Sequence, residues 1–369
     1  MSDTVLDHLT CASCVGTVDP RAAVMSCARC DQIYPRVGRI PVIFPRPDTH
    51  VDLWRRQVAF VAAQGRAMQE GLEIEAARDG HLAGTRTRLR ALAEGARLQV
   101  REVVGMLGPA LGGELPSPEQ LNLPRGADNP VRYLHYLYRD WGWEGGDHPE
   151  NQSSFDAVRS VTSGAPLGRT LVLGAGGCRL AYDLHRACGG TETVVVDVDP
   201  FLFVFAEAVV RGATLDLTES TANINEASSA LRTRSLSAPA GPIDDTSFHF
   251  FLANGIAPPF AEGTFDTVVT PWFIDQVPPD LPQFFGTIGR LLRPRGRWIN
   301  HGPLLYPSDA PITRRFSREE LFDLAGRAGF RIAKWISESR PYLVSPLNGR
   351  GKVEWVLSFE AERAAVFGG

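Results

Sequence analysis

In the second half of the chain, short apolar runs alternate with stretches of helical spacing. Leu171-Val-Leu173 and Thr193-Val-Val-Val-Asp197 are runs without polar alternation, and further candidate strands fall at 247–252, 266–270, 296–300, 331–336 and 353–359. Helices are expected to begin between them, near 179, 201, 279 and 317. Strands buried on both faces and alternating with helices predict a parallel, doubly wound α/β sheet. The first half has a different period. Trp54 to Arg78 and Thr85 to Leu111 repeat apolar residues at helical spacing amid alternating charge, which predicts a two-helix hairpin. A third helix is expected over Asn129 to Trp141, opened by a proline. Residues 213–246 are rich in Ser, Ala and Thr and show no period, so they form a long connection, either a lid over a substrate or a loose insertion.

The stretch around which this pattern is organised is Arg169-Thr-Leu-Val-Leu-Gly-Ala-Gly-Gly-Cys-Arg179. A strand running into the turn Gly174-Ala175-Gly176-Gly177 and then a helix offers backbone N–H groups to a nucleotide-like ligand. The second strand ends about twenty residues on in Asp197, an acid suited to accept hydrogen bonds from a ribose. Glycines alone carry little, because tight turns need them anyway. A dinucleotide fingerprint starting at Gly174 would call for glycine where Arg179 stands.

Six cysteines are unevenly distributed. Cys11, Cys14, Cys27 and Cys30 form C-x2-C-x12-C-x2-C, two knuckles able to wrap four thiolates around one tetrahedral Zn²⁺, whereas Cys178 and Cys188 stand alone as packing residues. Four thiolates leave no open position, so the zinc is expected to be structural. The net charge of −4 gives no general pull toward nucleic acid or an acidic membrane. No stretch reaches the roughly 18 apolar residues of a membrane helix, and the first residues lack the basic and apolar regions of a signal peptide. A cytoplasmic protein is expected. The arginines at 86, 88, 90, 97 and 101 could touch phosphate, but a solvated helix face accounts for them without aromatic neighbours.

Three segments carry family resemblances. Leu6-Asp-His-Leu-Thr-Cys-Ala-Ser-Cys, the second Cys pair and Tyr34-Pro through Ile40-Pro-Val resemble the small zinc-ribbon proteins that bind and activate methyltransferases. Asn254-Gly255 with Pro259-Phe and Phe265-Asp266, then Leu291-Leu-Arg-Pro-Arg-Gly, resemble the layout of class I S-adenosylmethionine-dependent methyltransferases. That resemblance implies a Rossmann-like sheet, with a polar side chain at Asn254 facing adenine. Aspartate is usual there, and an amide can still accept from the adenine amine. Arg139-Asp-Trp-Gly-Trp-Glu-Gly, Phe273-Ile-Asp275 and Trp298-Ile-Asn-His-Gly-Pro-Leu-Leu-Tyr306 resemble the carnosine N-methyltransferase family over about 128–360. By this resemblance Gly174, Ala175, Gly176, Asn254 and Gly255 bind the cofactor, Arg139 holds its carboxylate and Asp197 its ribose. Asp275 binds the imidazole of the acceptor. The implied organisation is a zinc-ribbon domain over 1–47, a helical hairpin and linker over 48–127, and a methyltransferase domain over 128–369.

The sequence departs from the family where acceptors are chosen. Pro307 replaces a histidine, His301 replaces an apolar residue, and Gly351-Lys-Val-Glu-Trp-Val replaces a tyrosine-rich strand. Methyl transfer needs mainly alignment and a dry pocket, because a sulfonium methyl is already activated. A carboxylate can hold one N–H of an imidazole and fix the tautomer that aims the free nitrogen at the methyl. Asp275 could instead cap a helix. His301 could be a ligand at the open sheet edge or a satisfied core histidine, and Tyr306 a pocket wall. The expected activity is S-adenosylmethionine-dependent N-methylation of a small imidazole- or amine-containing acceptor. Two alternatives stand beside it: an RNA or protein methyltransferase that docks substrate on the ribbon, and a non-catalytic scaffold.

Overall fold

The computed structural model describes residues 3–117, 133–146, 148–277 and 281–364. The N-terminal ribbon closes on β1 (Arg36–Val37) and β2 (Ile40–Ile43), and then come the helices α1 (Pro47–Ala77) and α2 (Ala83–Leu111). The hairpin forms as its spacing predicts. Val51, Trp54, Val58 and Val61 of α1 and Val103, Leu107 and Leu111 of α2 are buried in one core. Gly65 lets the helices approach, since a Cβ there would lie 2.1 Å from Val100 Cγ2. Of the third predicted helix, residues 129–132 with Pro130 lie outside the described residues. The remainder is α3 (Leu134–Leu137), running into a wider π turn over Tyr138–Gly142.

The catalytic half runs α4 (Pro149–Val161), β3 (Gly168–Leu173), α5 (Arg179–Ala187), β4 (Gly190–Asp197) and α6 (Pro200–Val210). A two-stranded ribbon follows, β5 (Leu215–Ser220) and β6 (Leu231–Leu236). The chain ends with β7 (Phe248–Ala253), β8 (Phe265–Pro271), α7 (Leu281–Leu291), β9 (Leu292–Gly302), α8 (Arg318–Arg327), β10 (Phe330–Tyr342) and β11 (Lys352–Arg363). All seven predicted strands are present.

The main sheet has the order β1-β2-β7-β4-β3-β8-β9-β11-β10. From β2 to β9 every pairing is parallel, while β11 runs antiparallel to both β9 and β10. The central strands are covered on both faces: Val172 and Val195 enter one core, Leu171, Leu173, Val194 and Val196 the other. That explains their unbroken apolar runs. The ribbon extends this sheet, because β2 pairs with β7. Its backbone also grips the loop after β7: Thr10 N–H donates to Pro259 O at 2.8 Å and Ala261 N–H to His8 O at 2.9 Å.

The connection over 213–246, expected as either a lid or a loose insertion, carries the ribbon β5–β6 and so is not a loose insertion. β5 and β6 pair antiparallel through six residues each. Glu102 of α2 accepts from the Thr218 N–H (2.8 Å) and hydroxyl (2.6 Å), and the Tyr138 hydroxyl donates to Thr218 O at 2.6 Å. Burial against α2 and the turn over 138–142 supplies what the local pattern lacks. Among the described residues no helix is long and apolar enough to cross a membrane.

Candidate active site and metal centre

The strand order reverses between β3 and β8, the switch point where open α/β sheets bind ligands. A cavity of about 440 Å³ lies there, lined by the Gly174–Gly177 turn, Arg139, Asp140, Asp197, Trp272, Asp275, His301, Tyr342 and others. Gly174 (φ +71°) and Gly176 (φ +54°) take the left-handed conformation that glycine adopts without strain. Gly176 lines the cavity, and a Cβ there would meet nothing within 4 Å. Gly176 N–H donates to Asp197 Oδ2 at 2.8 Å, and the N–H groups of Val198 and Asp199 donate to Oδ1. Burial pushes the Asp197 carboxyl up, and these three bonds oppose it.

Packed against the glycine turn, where a Cβ on Gly177 would lie 2.2 Å from Asp140 Oδ2, Arg139 pairs with the buried Asp140 at 2.6 Å and lies over the rings of Tyr136 and Tyr342. The Asn151 side chain donates to Arg139 O at 2.9 Å, so the first turn of α4 holds this segment.

Asp275 sits on a short 3₁₀ turn, Ile274–Gln276, just beyond β8. It does not cap a helix by its side chain. One oxygen accepts from Leu305 N–H at 3.3 Å, and the other is buried with no hydrogen-bond partner among the described residues. Burial pushes the carboxyl up to about 6 against the opposing pull of the neighbouring Gln276 side chain and the Leu305 N–H, and the negative charge of Glu354 adds a smaller push up. His301, at the end of β9, is 1% exposed and lines the cavity, with Nδ1 2.9 Å from Ser358 Oγ. Burial, aided by Arg340 and Arg139, pushes the imidazole down to about 3, so it is neutral at physiological pH. His301 is thus both a satisfied buried histidine and a cavity residue.

Three expected site residues are elsewhere. Asn254 and Gly255 are not among the cavity-lining residues. Asn254 Oδ1 accepts from Ile256 N–H at 3.0 Å, and Gly255 is crowded by Phe273 Cζ, which a Cβ would approach to 2.9 Å. Tyr306 does not line the cavity either; its hydroxyl is buried and its ring meets Phe316 edge-on. In the Trp298–Tyr306 motif, Trp298 and Asn300 staple the sheet. Trp298 Nε1–H donates to Thr270 Oγ1 (2.9 Å), and Asn300 Nδ2–H donates to Leu357 O (3.0 Å).

Sequence reasoning missed Trp272 and Tyr342 in the cavity wall; Lys352 and Glu354, also there, lie in the segment 351–356 where the sequence departs from the family. Trp272 stacks on Tyr342 with centroids 3.9 Å apart and has φ +50°, a strained value for a bulky residue. Its N–H donates to His301 O at 2.7 Å. Gly302 makes room, since a Cβ there would stand 2.8 Å from Trp272 Cα. Gly302→Ala is therefore expected to destabilise the protein by about 1–3 kcal/mol, because backbone must move. Thermal melting checks this, and an unchanged Tm would refute the packing argument.

The four cysteines converge as their spacing predicts. Their sulfurs all lie within 4.8 Å of one another, with Cys11–Cys30 at 3.7 Å and Cys14–Cys27 at 3.5 Å. Tetrahedral zinc with bonds of about 2.3 Å needs sulfurs about 3.8 Å apart. The Tyr34 hydroxyl lies 3.0 Å from Cys11 Sγ, and Arg29 N–H donates to Cys27 Sγ at 3.3 Å, outer contacts that orient metal thiolates. The cluster fits a metal ion.

The strand order with antiparallel β11, the glycine turn and Asp197 define a class I methyltransferase fold. Within that class the chain belongs to the carnosine N-methyltransferase family, whose sequence model matches residues 128–346, more than half of its length. It is 33% identical over 156 residues to a Dictyostelium discoideum carnosine N-methyltransferase, covering 40% of this chain. The matched part spans about a third (32%) of that curated relative. Solved structures similar to it include a SAM-dependent methyltransferase from Methanosarcina mazei (TM-score 0.39, 15% identity, 56% of this chain and 97% of that one). The cyclase SpnF is another (TM-score 0.42, 13% identity, 64% and 93%).

Proposed function

We propose that this protein is an S-adenosylmethionine-dependent N-methyltransferase acting on a small acceptor that presents an imidazole or amine nitrogen, of carnosine or histidine type. The observation that carries this reading is the buried oxygen of Asp275, without a hydrogen-bond partner among the described residues, in the wall of the cavity that the glycine turn also lines. A buried acceptor atom without a donor is costly unless a ligand supplies one. Membership of the carnosine N-methyltransferase family supports the same chemistry. The cysteine cluster is read as a structural Zn²⁺ site.

S-adenosylmethionine, when bound, supplies an electrophilic methyl group on a sulfonium. Gly176 leaves space for it, Asp197 offers its remaining lone pairs to ribose hydroxyls, and the Arg139 guanidinium offers N–H groups to its carboxylate. Asp275 accepts an N–H from the acceptor ring, which fixes the tautomer and directs the bare nitrogen away from itself. As that nitrogen takes the methyl, positive charge grows on the ring. The adjacent, largely buried carboxylate stabilises it. Asp275 is then placed to take the N–H proton, leaving a neutral methylated ring. Trp272 and Tyr342 supply an apolar wall that excludes water from the reacting nitrogen.

The pH dependence follows from two groups that must both be deprotonated. Asp275 ionises near 6, and a free imidazole near about 6.5. Activity should fall as pH drops through both, so log kcat/KM for an imidazole acceptor should approach a slope of about two below pH 6. Asp275→Asn should reduce that slope to about one. A wild-type slope of one would remove the carboxylate from the reacting complex. The direct test of the whole reading is transfer of labelled methyl to histidine or carnosine by the purified protein. Label found instead in an RNA or protein fraction would overturn the small-molecule assignment.

A further inference from the structure

Two charged side chains in the cavity have no task in the reaction above. Lys352 and Glu354 both line it, two residues apart on β11 and so on one face of the strand. Lysine is rare in this chain: Lys334 and Lys352 are its two instances among 38 basic residues. Glu354 is half-buried and makes no hydrogen bond or ion pair to the described residues.

That isolation is not for want of a neighbour. In the β10–β11 register Glu354 stands opposite Arg340, and Lys352 opposite Tyr342. A carboxylate and a guanidinium directly across an antiparallel pair normally meet. Here Arg340 turns away, donating to Ser153 O at 2.9 Å, to the Ser153 hydroxyl and to the Glu338 carboxylate. Tyr342, opposite Lys352, is committed to its stack on Trp272. The strand therefore presents to the cavity a half-buried acid, Glu354, and an exposed ammonium, Lys352, beside the stacked aromatic pair, in the same cavity that Asp275 lines. The partly desolvated Glu354 carboxylate, left without a partner among the described residues, is unfavourable unless a ligand brings the opposite charge.

We infer that Glu354 and Lys352 read the charged ends of the methyl acceptor: Glu354 receives its ammonium, and Lys352, at the exposed side of the cavity, its carboxylate. This rests on the proposal that Asp275 holds the acceptor's reactive ring. The electrostatics agree with it. Glu354 adds a small push of the Asp275 carboxyl toward its protonated form, smaller than that of burial, and an ammonium seated on Glu354 removes it.

The test compares three probe acceptors with one imidazole and different charges: L-histidine carries both, histamine lacks the carboxylate, and 3-(imidazol-4-yl)propionate lacks the ammonium. Labelled methyl transfer gives kcat and KM for wild type, Glu354→Gln and Lys352→Met, and calorimetric titration with S-adenosylmethionine verifies that each variant is folded. Glu354→Gln should lower the histidine-to-imidazolepropionate ratio of kcat/KM by about tenfold or more, mainly through KM, as expected for a lost charge-assisted contact. Lys352→Met should do the same to the histidine-to-histamine ratio. Methylation with both ratios unmoved would overturn the charge-reading role and leave Asp275 its own. Absence of label in all three probes, with the cofactor bound, would overturn both assignments together.

Discussion

Asp275→Asn should reduce kcat/KM for an imidazole acceptor at least about 100-fold while leaving S-adenosylmethionine affinity within about twofold. The asymmetry is what makes this informative. The side chain is attached beyond β8, and its free oxygen is buried in the cavity wall, whereas the groups read as cofactor ligands lie on the β3 turn, at the end of β4 and on the segment before α4. The amide keeps the shape and can still accept from Leu305 N–H. It loses the charge that stabilises a ring gaining positive character, and it cannot take the ring proton. The loss should appear chiefly in kcat, because charge complementarity matters most as the methyl moves. Single-turnover methyl transfer and calorimetry on the same preparation check it. Unchanged turnover would remove Asp275 from the chemistry, and equal loss of cofactor affinity would make it a structural residue.

Cys27→Ser should abolish metal binding and cost much of the protein's stability, with the purified wild type expected to carry one zinc per chain. Structural zinc contributes on the order of 10 kcal/mol or more to small ribbons, comparable to the whole stability of a typical domain. Residues 3–34 have no long helix or sheet of their own, only the short 3₁₀ turn Val5–His8 and isolated bridges such as Thr10–Thr17 and Val18–Cys27. The consequences should spread. Val5, Leu9, Cys11 and Tyr34 share a core with Phe251 and Phe260, and β2 is hydrogen-bonded to β7. Unfolding the ribbon would uncover the edge of the main sheet and release the loop held by His8 and Thr10, so aggregation should accompany metal loss. Elemental analysis and thermal melting decide it. A soluble variant that lacks zinc yet melts like wild type would refute a structural role.

What the chain alone determined follows from local physical causes. Leu171-Val-Leu173 and Thr193–Asp197 read as doubly buried strands because solvent is excluded from both faces, leaving no polar alternation. The four thiols read as a metal site because tetrahedral geometry dictates their spacing, and Gly174 and Gly176 because left-handed backbone excludes most side chains. Asp197, Arg139, Asp275 and His301 were legible from these signals together with family resemblance, and all four line the cavity.

Other features needed the tertiary structure because their causes are non-local. β5 and β6 are strands because α2 and Tyr138 satisfy and bury them, a dependence that no window over 213–246 contains. Tyr342 and Glu354 enter the site through the pairing register of β10 with β11, and Trp272 through a strained turn that Gly302 permits. Asn254 and Tyr306 are set apart from the cavity by an Asx turn and by packing on Phe316. Residue types and spacing carry chemistry that is local in the chain. Which side chains face one cavity is decided by strand register and packing across it, and these join residues far apart in the sequence.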